Sequence, residues 1–503
     1  MTTLEGMEPA SHSTSTSTST STSTNTTGGT GGTGITGSTD GIPATTGPVL
    51  RPGDPGYDEE VSGFQTAWTH RPDLVVGAAD AEDVRLAVAY AAGRRLPVAV
   101  QATGHGLSVA AGGGVLIGTR RMTGVSVDPV RRTARVAAGA RWGAVVAAAA
   151  AHGLAPLNGS SPTVGAVGYT LGGGIGLLAR RFGYAADHVR ALEVVTADGR
   201  PHRTVPGEEL FGALLGTGGN FGVVTAMETD LFPVPALYGG QLVFGAPLTE
   251  RALEVWRRWT ADVPETLTSS VALLSYPDVP AVPAPLRGRY AASFRIVHSG
   301  PAGEGERLVA PLRAVGERLV DDLREMPYAE CDSIHRDPPF PQPYTATNAL
   351  LRELPPEALS AVLDTVGPGS PVPCVTDVRH LGGALGRRGP AGVAVDHREA
   401  QYIVRAIAFP GPPPGGTGHS LPQVRERLDL LREALAPWTL GHSPAFLYGD
   451  GERAGETQTR AGYDPGAYER LAALKAVHDP HNLFRFNRNI RPAGADPSAA
   501  AAP

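Results

Sequence analysis

The amino-acid sequence predicts an α+β protein with two main domains, the second of which is built on an antiparallel sheet. Two observations predict this class. In the first half, short β-branched runs alternate with helical segments, and Asp198–Gly199 joins two β-rich runs, which is a strong hairpin signal. In the second half, strand patterns alternate with helical segments. Strands connected partly by hairpins and partly through helices are typical of an α+β fold.

The chain has 503 residues, enough for two or more domains. We expect disordered tails over residues 1–48, which are rich in Ser, Thr and Gly, and over residues 493–503, because neither segment has a core to bury. Between the tails we predict a first domain over 57–235, a second domain over 236–440 and a C-terminal segment over 441–492. Order is expected to begin near the start of the first domain.

The first domain opens with a predicted strand–helix–strand unit. Asp80 is the expected N-cap of the helix, and Gly93 is its expected stop. A strand with the sequence VLIGT follows, then two strands around the turn Asp128–Pro129, then a short helix that ends at Gly153. After the hairpin, a short helix, a third glycine cluster and a strand complete the domain.

The second domain and the C-terminal segment follow a looser pattern. The predicted strands are LVFGAPL, SSVALLSYP and YAASFRIVH. The predicted helices between them are ERALEVWRRWTADV and AGEGERLVAPLRAVGERLV. The C-terminal segment reads as one helix followed by an extended stretch, in GYDPGAYERLAALKAVHDPHNLFRFNRNI.

The composition excludes several classes of function. A formal net charge of −6 gives no electrostatic footprint for nucleic acid. Cys331 and Cys374 are the two cysteines, so we expect no metal site and no disulfide framework, and a single disulfide between them stays open. We find no run of about eighteen apolar residues, so no membrane-spanning helix is expected. The N-terminus lacks the pattern of a signal peptide, which favours a cytoplasmic protein.

Two glycine-rich stretches carry the strongest functional signal, LPVAVQATGHGLSVAAGGG and SPTVGAVGYTLGGGIG. In the first, a predicted strand breaks into a loop with glycine on both sides of His105. Exposed backbone amides in such a loop form an anion-binding nest, and two such loops could hold a large cofactor that carries a pyrophosphate. Two alternatives involve no ligand: His105 is a solvated loop residue, and the glycines serve ordinary tight turns. The run from Gly172 to Gly174 favours close approach of a ligand.

Two nucleotide-binding motifs offer alternatives to this interpretation. Gly174 to Ala179 fits the G-x-G-x-x-A pattern of a Rossmann unit. The following strand ends in a hairpin, however, whereas parallel strands need a crossover connection. No glycine run is followed by G-K-[ST], so a P-loop is excluded.

The order of the pieces resembles a known family. The matching pieces are ATGHGLS, SPTVGAVGYTLGGGIGLLARRFGYAADHV, EVVTADG, LFGALLGTGGNFGVVT and LAALKAVHDPHNLFRFNRNI. Together they resemble the FAD-linked oxidases of the vanillyl-alcohol oxidase / para-cresol methylhydroxylase type, and within that group the berberine bridge enzyme-like branch found in plants and in bacterial secondary metabolism. The resemblance implies an FAD-binding domain of two subdomains, an α+β substrate domain, and a C-terminal segment that returns to the FAD-binding domain.

The resemblance also implies how FAD is held. His105 would be bonded to the 8α-methyl carbon of the flavin, since imidazole is a nucleophile. Doubly linked members have a cysteine where this chain has Ser161, so we expect one covalent link at most. Asn487 and Asn489 would return to the flavin edge. The implied FAD contacts are Thr103, Gly104, His105, Gly106, Leu107, Ser108, Ser161, Thr163, Gly165, Gly168, Gly172, Gly173, Gly174, Gly176, Gly222, Val224 and Asn487.

The resemblance implies that a small organic substrate loses a hydride from a carbon bearing OH or amine, and that two electrons then pass from FAD to O2. Tyr448, in AFLYGD, is the first candidate for the catalytic base, and Tyr402, in DHREAQYIV, is the second. A tyrosine would need a lowered pKa to act as a base, and ordinary packing is the plain alternative for both. A dehydrogenase that uses another acceptor and a catalytically idle flavin-binding protein remain as rival functions.

Overall fold

The computed structural model describes Gly41 and residues 44–389, 393–411, 418–449 and 455–495. The tails expected over 1–48 and 493–503 therefore lie largely outside the described residues. Order begins earlier than the expected start near Tyr57, because a two-residue strand at Val49 already pairs with the first sheet. So short a strand leaves almost no pattern in the sequence.

The described strands and helices follow one another along the chain with short connections. The strands are β1 (Val49–Leu50), β2 (Leu74–Gly77), β3 (Val98–Gln101), β4 (Val115–Gly118), β5 (Val125–Asp128), β6 (Thr133–Ala137), β7 (Val189–Val195), β8 (Pro201–Thr204), β9 (Val223–Asp230), β10 (Ala236–Gly245), β11 (Leu267–Ser275), β12 (Tyr290–His298), β13 (Val320–Asp321), β14 (Arg324–Pro327), β15 (Thr345–Leu351), β16 (Cys374–His380), β17 (Tyr402–Ala408) and β18 (Thr439–Gly441). The α-helices are α1 (Tyr57–Val61), α2 (Ala81–Arg94), α3 (Trp142–Ala150), α4 (Ala166–Leu171), α5 (Ala179–Phe182), α6 (Glu209–Leu214), α7 (Ala246–Trp259), α8 (Ala302–Arg313), α9 (Pro356–Val366), α10 (Leu421–Leu435), α11 (Glu456–Arg460) and α12 (Pro465–His478).

Three sheets organise these elements. A 4-stranded sheet in the order β1-β2-β4-β3 and a 5-stranded antiparallel sheet in the order β5-β6-β9-β7-β8 make up the first half. A 9-stranded antiparallel sheet in the order β13-β10-β12-β11-β16-β17-β15-β18, with β14 beside β10, makes up the second half. The hairpin predicted at Asp198–Gly199 is confirmed by the pairing of β7 with β8, and the predicted α+β class is confirmed.

Helix α2 shows where local signals succeed and fail. Asp80 caps the helix as predicted, and its carboxylate accepts from the amides of Glu82 and Asp83. The predicted stop at Gly93 is wrong, because the helix continues to Arg94 and the residue with positive φ is Arg95 (φ 56). Capping hydrogen bonds to the last helical carbonyls stabilise this left-handed residue without a glycine.

The 9-stranded sheet has two chemically different faces. On β17, Val404 and Ala406 point into the largest apolar cluster, whereas Ile403 lies in a different cluster near the second glycine-rich loop. Alternate side chains of a strand face opposite sides of the sheet, so Arg405 shares the face of Ile403. Helices α7, α9 and α10 cover the apolar face through residues that include Trp256, Val362 and Leu428.

Helix α12 packs against the first half of the molecule, where Tyr468 and Leu471 share an apolar cluster with Phe211. The side chain of Lys475 is fully buried there, and its Nζ lies 2.8 Å from Oδ2 of Asp479. A buried charge needs such a partner, so this ion pair fixes the end of α12.

Three structural features can be checked in the described part of the chain: a membrane-spanning helix, a metal site and a disulfide. No helix in it is long and apolar enough to cross a membrane. It also contains no group of three or more His, Cys, Asp or Glu side chains that could hold a metal ion. Cys331 and Cys374 are both buried and free, so no disulfide joins them.

Candidate active site

The first glycine-rich loop follows β3 and exposes backbone donors. The carbonyls of Thr103 and Gly104 accept hydrogen bonds from the amides of Phe64 and Gln65, at 2.9 and 3.1 Å. These bonds fix the loop through its carbonyl groups, which leaves its amides pointing elsewhere.

The amides of this loop remain without acceptors inside the protein. Within the described part of the chain, the amides of Gly104, His105, Gly106 and Ser108 donate no hydrogen bond. Several successive amides without an acceptor in the protein form an anion site. The loop therefore has the donor set that a pyrophosphate requires.

The imidazole of His105 is held at the centre of this loop. Its ring stacks on Phe64 with 3.7 Å between centroids, and its Nε2 lies 3.0 Å from Oγ1 of Thr163. Burial, followed by the positive charge of Arg141, lowers the pKa of His105 to about 4. The ring is consequently neutral at pH 7, which is the nucleophilic form of imidazole.

The second glycine-rich loop approaches the first through hydroxyl groups. The Oγ of Ser161 lies 2.9 Å from Oγ1 of Thr163, which also contacts His105. The amide of Gly165 donates to Oγ1 of Thr103 at 3.3 Å. The structure thus brings together the parts of both loops that the sequence predicted to meet.

Most glycines of the run near residue 174 are explained by contact with protein atoms. A Cβ added to Gly172 would lie 2.8 Å from Cβ of Ala445, and one added to Gly176 would lie 2.3 Å from the carbonyl oxygen of Asn158. A Cβ on Gly174 would meet the ring of Tyr169 at 2.6 Å. Internal packing therefore accounts for the lack of a side chain at these positions, and their contact with a bound ligand stays a prediction. Gly173 is similarly close to a side chain, 3.0 Å from Val395.

Among the predicted FAD contacts, two glycines face open space. A Cβ added to Gly168, in α4, would meet no described atom within 4 Å, and one added to Gly106 would meet only Tyr448, at 3.9 Å. These two positions, rather than the consecutive glycines, border room that a bound group could fill.

Of the remaining predicted cofactor contacts, some are enclosed by protein atoms and others keep polar atoms free for a ligand. Val224 lies in the apolar core, and Gly222 is enclosed by Val194 and Val195. Asn487 donates from Nδ2 to the carbonyl of Gly219 at 3.3 Å, while its buried Oδ1 has no partner in the described part of the chain. The buried Oδ1 of Asn489 is likewise without a partner there. The two asparagines thus retain unused acceptors for a ligand.

Tyr448 reaches the first loop. The amide of its neighbour Gly449 donates to the carbonyl of Leu107 at 3.0 Å, and its ring lies edge-on to Tyr344, 5.6 Å between centroids. Burial raises the pKa of Tyr448, although the nearby positive charge of Arg405 opposes this effect. Tyr448 is therefore a neutral phenol at pH 7 in this structure, suited to hydrogen bonding.

Tyr402 lies away from this loop. Its hydroxyl is 2.6 Å from Oγ1 of Thr260, and its ring packs against Trp256, in the apolar layer between the 9-stranded sheet and α7. The structure does not bring Tyr402 near His105, because the alternation of β17 directs its side chain to the helical face of the sheet.

Sequence reasoning missed a cluster of charged residues on the other face of that sheet. We call Arg295, Arg379, Arg405 and Asp377 the arginine cluster; they come from β12, β16 and β17. The sequence did contain a signal, since each of these strands places charge inside an otherwise apolar run, and charged side chains are almost never fully buried unless paired.

Asp337 was also missed, and it lies in a connection between elements. Its Oδ2 accepts from Oγ of Ser160 at 2.5 Å, directly beside Ser161. The positive charges of Arg295 and Arg405 and the hydrogen bond from Ser160 lower its pKa despite burial. The sequence offered no motif around this residue.

These features fit FAD. The unpaired amides of the first loop suit a pyrophosphate, the open space beside Gly106 and Gly168 suits a large planar group, and the two asparagine oxygens offer acceptors. His105 supplies a neutral imidazole in the same place. The site thus has both the anion-binding and the nucleophilic parts that a linked flavin nucleotide needs.

Comparison with known proteins agrees with this chemistry. Residues 72–204 match the FAD binding domain family, and residues 459–491 match the family described as berberine and berberine like. The chain is 28% identical over 465 residues to (R)-6-hydroxynicotine oxidase of Paenarthrobacter nicotinovorans, covering 89% of this chain and 97% of that protein.

Solved structures show the same fold. The crystal structure of 6-hydroxy-D-nicotine oxidase from Arthrobacter nicotinovorans matches with a TM-score of 0.75 and 26% identity, covering 89% of this chain and 98% of that one. Xylooligosaccharide oxidase from Myceliophthora thermophila matches with a TM-score of 0.75 at 19% identity, which shows the shared fold. The fold and the site together define an FAD-linked oxidoreductase. Within that class, two segments of the chain match family models for an FAD binding domain and for berberine-like proteins, as its motifs predicted.

Proposed function

We propose that this protein is a flavoprotein oxidase in which His105 holds FAD covalently and a small organic substrate is oxidised at a carbon bearing OH or amine. The observation that carries the proposal is the first loop, where a neutral, half-buried imidazole lies among amides that have no acceptor in the described part of the chain. FAD, when bound, supplies the hydride acceptor and the route for electrons to O2.

His105 would form the link because its ring is both nucleophilic and fixed. The contact with Thr163 engages Nε2, and the stack on Phe64 restricts the ring plane. In place of a second linking cysteine stands Ser161, whose hydroxyl contacts Thr163 instead. One covalent link therefore fits this chain better than two.

Tyr448 would orient the substrate rather than serve as a strong base in the resting site. Its phenol is neutral because burial raises its pKa, and it lies between the first loop and Arg405. Asp337, whose pKa is lowered, is the carboxylate of the same region that would already be ionised at pH 7. We propose Tyr448 as the hydrogen-bonding group and retain Tyr402 as a packing residue of the sheet.

The experiment that tests the link is acid denaturation of the purified protein. We expect the yellow chromophore to stay with the polypeptide in the wild type and to be released or absent in His105→Ala. A His152→Ala variant, altered at the end of α3, serves as the matched control and should keep the chromophore. A wild-type protein that releases all flavin in acid would show that the link does not form.

Oxygen consumption compared with dye reduction tests the electron acceptor. If the protein reduces dyes but consumes no oxygen, it is a dehydrogenase of the same fold and not an oxidase. Tyr448→Phe should lower turnover while FAD stays bound, whereas Tyr402→Phe should change stability more than turnover. Equal turnover in Tyr448→Phe and the wild type would remove Tyr448 from the mechanism.

A further inference from the structure

The arginine cluster is positioned by strand register on the face of the sheet toward the second loop. Ser270 of β11 is the cross-strand partner of both Arg295 and Arg379. In the adjacent row, Asp377 lies opposite Arg405. Three guanidinium groups and one carboxylate thus come together across four neighbouring strands.

The cluster is buried but incompletely paired. The side chains of Arg295 and Arg405 are only 12% and 18% exposed, yet they lie 3.7 and 3.6 Å from the oxygens of Asp377, beyond a good hydrogen bond. Within the described chain, the buried Nε atoms of both arginines donate no hydrogen bond. Arg379 is the one that donates to Asp377 directly, at 2.5 Å. Buried donors without acceptors are costly.

Positive charge exceeds negative charge in this region. Asp377 and Asp337 are the carboxylates that act on the three arginines, and their pKa values are both lowered. Burial lowers the pKa of His335 and of His380 to about 3, so neither adds charge at pH 7. Three guanidinium groups against two carboxylates leave one positive charge uncompensated within this set.

The unpaired charge borders a cavity next to the proposed flavin site. Arg295, Arg379 and His335 line this cavity together with Ser160, which precedes Ser161 of the second loop. Arg405 approaches the same region from the next strand and influences the pKa of Tyr448. A substrate that reached Tyr448 would therefore lie beside the arginine cluster.

We propose that the substrate carries a carboxylate group and that Arg295 and Arg405 bind it. Arg295 lines the cavity, Arg405 lies beside it next to Tyr448, and the Nε atoms of both largely buried side chains donate no hydrogen bond within the described chain. Arginine pairs with carboxylate through two parallel hydrogen bonds. This inference rests on the proposed function, because it places the carboxylate on the molecule that the flavin would oxidise.

The test compares carboxylates with their uncharged amides on the flavin-loaded protein. Formate, acetate and benzoate are titrated against formamide, acetamide and benzamide, and binding is read from the flavin absorbance and from the thermal midpoint. At least one carboxylate should bind about tenfold or more tightly than its amide, since a charge-assisted pair is lost in the amide. Equal affinities within all three pairs would overturn the proposal.

Variants locate the binding to the cluster. Arg405→Met and Arg295→Met should each reduce carboxylate affinity about tenfold or more and leave amide affinity unchanged. Arg190→Met, at the exposed surface of β7, is the matched control and should bind as the wild type does. Arg405→Lys keeps the positive charge but loses the planar guanidinium group that forms two parallel hydrogen bonds, so it should retain part of the affinity. It serves as a second variant in case Arg405→Met folds poorly.

The outcomes separate this inference from the proposed function. One outcome is that Arg405→Met shifts the flavin reduction potential while carboxylates and amides bind alike. In that case the arginine cluster stabilises the charge of the flavin instead of binding a substrate carboxylate, and the proposal is wrong. Carboxylate binding is measured without turnover, so a protein that binds carboxylate selectively but oxidises nothing would contradict only the proposed oxidase. A protein without flavin would still report carboxylate binding through its thermal midpoint.

Discussion

The two glycine-rich loops look alike in sequence but do different work in the structure. In the loop around His105, the amides have no acceptors in the described part of the chain, and a Cβ on Gly106 would have its nearest neighbour at 3.9 Å. In the loop around Gly174, a Cβ would collide with protein atoms at three of the consecutive or neighbouring glycines. Internal packing also explains Gly104 in the first loop, where a Cβ would lie 2.6 Å from Cα of Gly63, so the open position beside Gly106 is what distinguishes that loop.

The strongest test of this difference is Gly176→Ala. The new Cβ would lie 2.3 Å from the carbonyl oxygen of Asn158 and 2.9 Å from the hydroxyl of Tyr169. Overpacking against backbone costs about 3 kcal/mol, so we expect the free energy of unfolding to fall by that order even in flavin-free protein. Denaturant unfolding measures it. An unchanged midpoint would mean that the second loop is less tightly packed than the structure shows.

The pH dependence of stability tests the burial of His105. Its pKa is about 4 in the folded protein and about 6.5 when unfolded. The unfolded chain therefore binds more protons between these values, so the stability contributed by the neutral ring is present above pH 6.5 and lost as the pH falls toward 4. Flavin-free His105→Asn should show a shallower decline over this window than the wild type. Parallel curves would show that the ring is solvated.

The hydroxyl that joins the two loops gives a smaller effect. Thr163→Val removes Oγ1, which contacts both His105 and Ser161. We expect a loss of about 1 kcal/mol of unfolding free energy together with slower covalent attachment of flavin. Thr170→Val, which removes a hydroxyl that donates to the carbonyl of Ala166, controls for hydroxyl loss alone. Attachment slowed equally in both variants would show that Thr163 does not position the ring.

The smallest effect on stability is expected for Gly168→Ala, and its sign should be opposite. The Cβ meets no described atom within 4 Å, and the position is inside α4. Alanine is favoured over glycine in helices by up to about 1 kcal/mol, so flavin-free protein should gain stability while FAD affinity falls. Thermal unfolding with and without FAD measures both. Unchanged FAD affinity would show that the open space beside α4 is not part of the flavin site.

The sequence predicted local structure better than it predicted which side chains meet. The cap at Asp80 and the hairpin at Asp198–Gly199 depend on a few adjacent residues, so their signals were sufficient. The stop at Gly93 was wrong, because hydrogen bonds at the end of α2 allow Arg95 to take the left-handed conformation. For the candidate site, the two loops and His105 were found from glycine spacing and from motifs.

The two tyrosines show why the rest of the site could not be found in this way. Tyr448 lies in AFLYGD and Tyr402 in DHREAQYIV, and neither piece shows which way its tyrosine points. The packing of helices on one face of the 9-stranded sheet places Tyr402 against α7, whereas Tyr448 lies beside the first loop. The face that a strand presents to a site depends on what covers its other face, which a single strand does not reveal.

By itself, the sequence determined the α+β class, the flavin-binding family and the histidine in a loop rich in glycine, because each depends on residues that are close along the chain. The tertiary structure decided which glycines border open space, which tyrosine lies near His105, and that Arg295, Arg379 and Arg405 meet around Asp377. These arginines come from three strands separated by long stretches of chain, so their meeting depends on the register and order of the sheet.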